Sequence, residues 1–284
     1  MIERRTFRAM GTEIELLVEA EGAAGALAAA EGEFHRLEAL LSRFREDSEL
    51  SRLNRDGSLT AGPDLCRVVE LALAARERTG GRFDPAIHDA LVAAGYDRSF
   101  EQIDPRCQAP CLAPGAAGGA ASVEGTRIEL DDGVRLDLGG IGKGYAAERA
   151  AEILAMAGPC LVNAGGDIAV RGGSWPIGVE TAREPLTLEL SHGGLATSGR
   201  DRRRWQRDGR ELHHLIDPRT GEPAETDLLR VTAIAPDAIE AEVAAKSLFL
   251  AGSARAAREA DAAGVAAVLV TDDGRTIFAG GLAA

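Results

Sequence analysis

The sequence predicts an α+β fold, and three observations carry that expectation. Strand-like and helix-like segments follow one another without the regular β–α–β alternation that builds a doubly wound parallel sheet. Short alternating segments meet at turns such as Met10-Gly11-Thr12 and Asp132-Gly133, the pattern of antiparallel hairpins. With 284 residues, 45% hydrophobic and 27% charged, the chain is long and apolar enough to bury a substantial core.

The first 20 residues read as two strands, with apolar and polar positions alternating in "TEIELLVEA". Residues 23–44 carry a helical stripe of Phe34, Leu37, Leu40, Leu41 and Phe44. A polar turn follows, in which Asp47 or Ser48 caps a short helix. A helix over 63–79 ends at Thr79-Gly80-Gly81, where glycine suits a C-cap. In "FDPAIHDALVAAG" Asp84 is the expected N-cap and Pro85 the first helical residue. Residues 98–125 are rich in Pro, Gly and Ala and read as a loop or insertion.

"TRIELDDGVRLDLGG" reads as a hairpin turning at Asp132-Gly133, followed by a helix over 144–157. Strands are expected near 160–163, 167–171, 176–180, 186–190, 212–217 and 229–235. In "APDAIEAEVAAKSLFLAG" Asp237 caps a helix, Glu240 is its capping-box partner and Gly252 lies just past its end. Most other positions there are apolar, so that helix is expected to be buried on most sides. A helix near 253–263 and a hairpin complete the chain.

The net charge of −13 argues against broad nucleic-acid binding, which draws its affinity from neutralised phosphates. An aromatic content of 4% leaves few platforms for stacked bases. The arginine run "RDRRRWQRDGR" reads as a solvated turn between strands. The four cysteines, Cys66, Cys107, Cys111 and Cys160, fit neither a disulfide framework nor a zinc site. No segment is apolar enough to span a membrane, and the N-terminus shows no signal peptide or lipid-attachment cysteine. A cytoplasmic protein is the resulting expectation.

Three segments can carry chemistry. "DLGGIGKGYAAERA" sets glycines and Lys143 at the start of a helix, where free N–H groups and the positive helix end face an anion. Its spacing is neither Walker A nor Rossmann, and a turn that only packs is an equal reading. "VNAGGDIAVRGG" places Asp167 directly after a glycine turn. "HHLIDPRTGEP" puts His213 and His214 on opposite faces of a strand; each is either a packed residue or a base.

Together and in this order, "AMGTEIEL", "LSRFREDSELSRLN", "GGRFDPAI", "LDLGGIGKGYAAERA", "NAGGDIAV", "LATSG", "HHLIDPRTGEP" and "APDAIEAEVAAKSLFLAG" resemble the ApbE family of FAD:protein FMN transferases. The resemblance runs from residue 6 to the last hairpin and is poorest over 98–125. It implies a T-fold-like, mixed antiparallel sheet with packed helices, two intimately connected subdomains forming one domain over 1–284, and FAD held in a cleft. The implied reaction splits the FAD pyrophosphate and joins FMN, through its phosphate, to a threonine of a partner protein, releasing AMP. Acceptors of the type D-G-x-S/T-G-A-T lie in that other chain. Positions implied to hold FAD are Met10, Phe44, Ser48, Glu49, Gly139, Gly140, Lys143, Asp167, Thr197 and Ser198. His214 is implied as acceptor of the threonine proton, with Asp217 orienting it.

One position pair departs from the family pattern. Where Asp and Thr are expected to bind Mg²⁺ together with a glycine carbonyl, here that of Gly142, this chain has Glu242 and Lys246. Three readings stay open: a plain i,i+4 salt bridge, a Lys246 ammonium in place of the metal, or weak Mg²⁺ binding through Glu242. Accordingly the expected activity is FMN transfer, with FAD binding without transfer, or FAD hydrolysis, as alternatives.

Overall fold

The computed structural model describes residues 1–107, 113, 115 and 117–282. The first elements are β1 (Ile2–Ala9), β2 (Thr12–Glu19), α1 (Ala24–Leu41), α2 (Glu49–Asp56), β3 (Ser58–Thr60), α3 (Pro63–Arg78) and α4 (His88–Ala93). After a 3-10 turn at Phe100–Gln102 come β4 (Arg106–Cys107), β5 (Ala121–Glu124), β6 (Arg127–Leu130), α5 (Gly142–Ala155), β7 (Cys160–Ala164), β8 (Asp167–Val179) and β9 (Leu186–Gly199). Then follow β10 (Arg204–Arg207), β11 (Arg210–His213), β12 (Ile216–Asp217), β13 (Glu222–Pro223), β14 (Leu228–Ala235), α6 (Ala238–Ala251), α7 (Ser253–Ala263), β15 (Ala267–Thr271) and β16 (Thr276–Ala279). The class is α+β, as the segment order predicts. No helix among the described residues is long and apolar enough to cross a membrane.

The chain folds as two compact units, one of residues 1–38, 141–198 and 226–284, the other of 39–140 and 199–225. The first is built on an eight-stranded sheet in the order β1-β2-β7-β8-β9-β14-β15-β16. Strands β1 to β2, β2 to β7, β7 to β8, β8 to β9, β14 to β15 and β15 to β16 all pair antiparallel. Strand alternation sends Leu161, Ile168, Val170, Trp175 and Ile177 into one core cluster with Val268. A separate, small-residue cluster of Ala196, Ala233, Ala241 and Ala245 joins α6 to the sheet. The turn between β7 and β8 needs glycine, because Gly165 has φ 66° and a Cβ there would lie 2.2 Å from Thr12 Oγ1.

Two buried glutamates cap α5 and α6 reciprocally. Glu242 of α6 accepts the N–H of Gly144 in the first turn of α5 at 2.9 Å. Glu148 of α5 accepts the N–H of Ala238, first residue of α6, at 2.6 Å. Each carboxylate thus meets the positive end of the other helix and satisfies an N–H that helical geometry leaves free. Glu148 also holds the Arg171 guanidinium of β8. The helices come this close because position 144 lacks a Cβ, which would lie 2.6 Å from the Ala238 carbonyl oxygen.

In the second unit β6 lies between β3 and β5, while β10 lies between β11 and β4. An apolar cluster gathers Leu91, Tyr96, Trp205, Leu212 and Ile216. The Trp205 indole N–H donates to the Ala94 carbonyl at 2.9 Å. Ser48 caps α2 by accepting the Ser51 N–H at 2.9 Å. The arginine run forms β10 and β11, joined at Asp208-Gly209, so it is a strand pair with a buried tryptophan rather than a solvated turn.

Several expectations are corrected. Helix α1 ends at Leu41, which leaves Phe44 off the helical stripe and 41% exposed. Helix α4 begins at His88, not Pro85, because Asp84 serves elsewhere: it accepts the Ala86 N–H at 2.9 Å and pairs with Arg76 at 3.0 Å. Residues 134–140 form no strand, since both edges of β6 are taken by β3 and β5. The Asn54 side chain instead bonds the N–H and C=O of Leu136, at 2.7 and 2.8 Å. The strands expected at 167–171 and 176–180 are one, β8, with a register shift between Arg171 and Trp175. Within the expected loop 98–125, β4 and β5 form, and 108–112, 114 and 116, with Cys111, lie outside the described residues.

Strand β11 stops at His213, whose ring is fixed at both nitrogens. Nε2–H donates to the Ala224 carbonyl at 3.1 Å, and Nδ1 accepts the Leu215 N–H at 3.3 Å. Burial, helped by the Arg200 charge, pushes its pKa down to about 4. The unfolded imidazole, near 6.5, then binds a proton that the folded one refuses. His213 therefore supports the fold above about pH 6.5, and that support is lost as pH falls toward 4, by up to about 3 kcal/mol. Urea unfolding across this range should show the loss, and His213→Gln should flatten it; an unchanged slope would refute the assignment.

Two glycines should respond oppositely to alanine. Gly144→Ala, blocked by backbone, is expected to destabilise by about 1–3 kcal/mol. Gly32→Ala, inside α1 with open space around it, should stabilise by about 0.5–1 kcal/mol. Denaturant melts of the two variants compare them directly; equal shifts would contradict the close approach of α5 and α6.

Candidate functional site

The first unit gathers four charged side chains from three separate stretches of the sequence. Lys143 extends from the first turn of α5, Asp167 opens β8, and Glu242 and Lys246 lie one turn apart on α6. Lys143 Nζ donates to Glu242 Oε1 at 2.8 Å and also to Asp167. Lys246 Nζ donates to the same Glu242 oxygen at 3.0 Å. Glu242 Oε2 takes the Gly144 N–H, so both of its oxygens are engaged.

The cluster is layered by exposure. The Glu242 side chain is 0% exposed and Asp167 is buried, whereas Lys143 and Lys246 retain 15% and 16%. Burial alone raises the Glu242 carboxyl, but the two lysine charges and the bonds from Lys143 and Gly144 outweigh it and bring it down to about 2. Asp167 moves the other way, raised by burial and by the Glu242 charge, against the pull of Lys143. Of the three readings of Glu242 and Lys246, the i,i+4 salt bridge is present at 3.0 Å, with its carboxylate buried rather than exposed on a helix face.

A Mg²⁺ ion demands near-octahedral oxygen coordination. Here Lys246 offers a cation where an oxygen ligand is needed, and Glu242 already holds three N–H donors. Gly142, the other expected contributor, opens α5 and is buried. Among the described residues no group of three His, Cys, Asp or Glu side chains could hold a metal. The donor set does not fit Mg²⁺.

Other predicted positions in this unit have local roles as well. Met10 sits in the β1–β2 turn with φ 51°, uncommon for a residue with a side chain, and its N–H donates to Glu38 at 2.7 Å. The Thr197 hydroxyl bonds that of Thr232 at 2.8 Å, and Ser198 beside it is buried.

In the second unit an arginine organises the aromatic position. The Arg43 guanidinium lies 4.2 Å from the Phe44 ring centre and 4.8 Å from that of Tyr96. It also pairs with Asp137 at 2.6 Å and donates to the Tyr96 carbonyl. Gly139 follows, its N–H on Asp137 at 2.9 Å, and Gly140 completes the turn. Glu49 accepts the Gly62 N–H at 3.0 Å ahead of α3. His214 lies half-buried in the bend between β11 and β12, not in a continuous strand. The Asp217 carboxylate is held by the Arg219 side chain at 2.6 and 3.0 Å, which keeps its pKa below the usual carboxylate range.

Sequence reasoning missed Arg43, Asp137, Glu148 and Arg171. For Glu148 the one available signal was an acid among alanines on an otherwise apolar helix face.

Comparison with known proteins agrees with this architecture. The FAD:protein FMN transferase of Escherichia coli K12 is 28% identical over 258 residues, covering 83% of this chain and 73% of that protein. The FAD:protein FMN transferase of Treponema pallidum is 32% identical over 250 residues, covering 76% and 68%. The ApbE protein of Thermotoga maritima superposes with a TM-score of 0.87 at 25% identity, over 98% of this chain and 97% of that one. The flavin transferase ApbE of Vibrio cholerae, at 21% identity and the same coverages, shares the fold with a TM-score of 0.80. A sequence model of the ApbE family matches residues 10–269, and the chain belongs to the ApbE family.

Proposed function

We infer that this chain is an FAD:protein FMN transferase. The observation that carries the reading is the family match over residues 10–269, which spans every motif quoted from the sequence from Met10 to Lys246. FAD is the substrate. The acceptor is a threonine of another protein, whose hydroxyl oxygen attacks the FMN-side phosphorus. The bond from that phosphorus to the bridging oxygen breaks, and AMP leaves with the electron pair. The threonine proton passes to the His214 imidazole, a group whose ordinary pKa suits a base near neutral pH.

The remaining assignments follow from chemistry. Phe44, backed by Arg43 and Tyr96, offers an aromatic face to the isoalloxazine. The resemblance assigns Met10, Thr197 and Ser198 of the first unit, and Ser48 and Glu49 of the second, to the flavin nucleotide. The Gly139-Gly140 turn and Lys143 face the pyrophosphate, where a lysine acts as a point charge. Asp217, fixed by Arg219, positions the segment that carries His214. The Mg²⁺ ion implied by the resemblance has no part in this scheme, since its donors do not fit.

The test uses intact-mass spectrometry of an acceptor protein bearing a D-G-x-S/T-G-A-T motif, incubated with this chain and FAD. An FMN-sized gain with AMP release is expected. Free FMN with AMP would make the chain an FAD pyrophosphatase, and intact FAD would make it a flavin-binding protein. His214→Gln should lower the adduct rate by about 100-fold or more while FAD affinity stays within a few-fold. Equal rates would remove His214 from the proton transfer.

A further inference from the structure

The disagreement between the expected metal site and the residues present has its own chemical meaning. Two acids and two bases make up the cluster, and Lys143 Nζ and Lys246 Nζ meet on one oxygen, Glu242 Oε1, at 2.8 and 3.0 Å. No excess negative charge remains to draw in a divalent cation. For Mg²⁺ to reach Glu242 it would have to displace an ammonium and then lie against it, a repulsion that low-dielectric surroundings strengthen. An anion meets the opposite situation. Both carboxylates are the buried layer and both ammoniums the solvent-reaching one. Among the described residues the hydrogen-bond partner of Lys246 Nζ is Glu242, and an ammonium carries three donors.

We propose that Lys143, Asp167, Glu242 and Lys246 form a built-in dicationic seat for a diphosphate that works without a divalent metal. The two ammoniums meet the diphosphate oxygens, and the buried carboxylates beneath hold those ammoniums side by side. Naming the diphosphate as that of FAD rests on the transferase reading; the seat itself does not. In this site Lys246 takes the place of the metal ion, and Glu242 positions Lys246 rather than coordinating an ion.

Calorimetric titration of metal-stripped protein in EDTA tests this with two probes, inorganic pyrophosphate and FAD. Both should bind. Excess Mg²⁺ should change FAD affinity by less than roughly threefold, because the neutralising charge is already present. Lys246→Met should weaken both probes by about tenfold or more in EDTA, whereas Lys246→Arg, which keeps the charge, should stay within a few-fold of wild type. The paired change Glu242→Asp with Lys246→Thr should make FAD binding depend on Mg²⁺. Wild-type FAD binding that tightens by about tenfold or more with Mg²⁺ overturns the proposal. So does binding in EDTA that Lys246→Met leaves unchanged, or failure of wild type to bind either probe in EDTA. Pyrophosphate binding that depends on Lys246, without any FAD binding, keeps the seat and sinks the flavin reading. The metal titration and Lys246→Arg decide the matter even if Lys246→Met does not fold.

Discussion

A carboxylate with no solvent exposure is expensive to bury, and the centre of the first unit is organised around satisfying one. Glu242 is surrounded by the Gly144 N–H, the Lys143 ammonium and the Lys246 ammonium. A buried ion loses several kcal/mol of hydration, which is recovered only where partners are placed on every side. Those partners come from α5 and from the next turn of α6, so the ion ties the start of one helix to the middle of the other. Asp167 extends the network to β8 through Lys143. The cluster therefore joins α5, α6 and β8 through one connected set of charges.

The alanine and glycine content makes this geometry possible. Glutamate side chains of ordinary length reach the opposing helix start because Gly144 meets Ala238 backbone to backbone, and a Cβ at Gly194 would lie 2.2 Å from the Ala238 N. Ala196, Ala233, Ala241 and Ala245 keep α6 equally close to the sheet. Bulkier residues would bury more apolar area, yet they would separate the backbones and leave each carboxylate short of its N–H. The low aromatic content that argues against base stacking thus has a positive role here, which is to bring helix ends within reach of buried acids.

What could be read from the sequence follows from how local each signal is. Asp237 before α6, with its Oδ1 on the Glu240 N–H at 2.7 Å, and Ser48 before α2 are legible because a cap involves residues three apart. The β1–β2 turn and the long helix α3 are legible for the same reason. Asp84 misleads because an aspartate can accept an N–H two residues on without starting a helix. The false strand at 134–140 has a correct pattern; it fails because β5 and β3 take the two edges of β6, and the β3 pairing joins distant segments. In the site, the i,i+4 relation of Glu242 and Lys246 is visible from spacing. Lys143 stands 99 residues from Glu242 and 24 from Asp167, so their meeting is a property of the fold alone.

Burial also changes what the Glu242–Lys246 pair is. On a solvated helix face such a pair contributes about 0.3–0.5 kcal/mol and either residue can vary freely. Enclosed, the pair is interdependent in one direction: removing Glu242 takes the shared carboxylate from both lysines, at about 3–5 kcal/mol, whereas Glu242 without Lys246 keeps Lys143 and the Gly144 N–H. A lysine held this way differs from a bound metal ion in two respects. It cannot dissociate, and its position is set before any ligand arrives, so no ordering is required at the moment of binding. A metal ion carries two charges and accepts ligand oxygens from several directions, whereas an ammonium carries one charge and three rotatable N–H donors. Two lysines sharing one carboxylate oxygen place two ammoniums on the solvent side of the cluster, the side from which a diphosphate would arrive. Lys246 is then understandable as a charge supplied by the chain itself and held in place by Glu242 on α6.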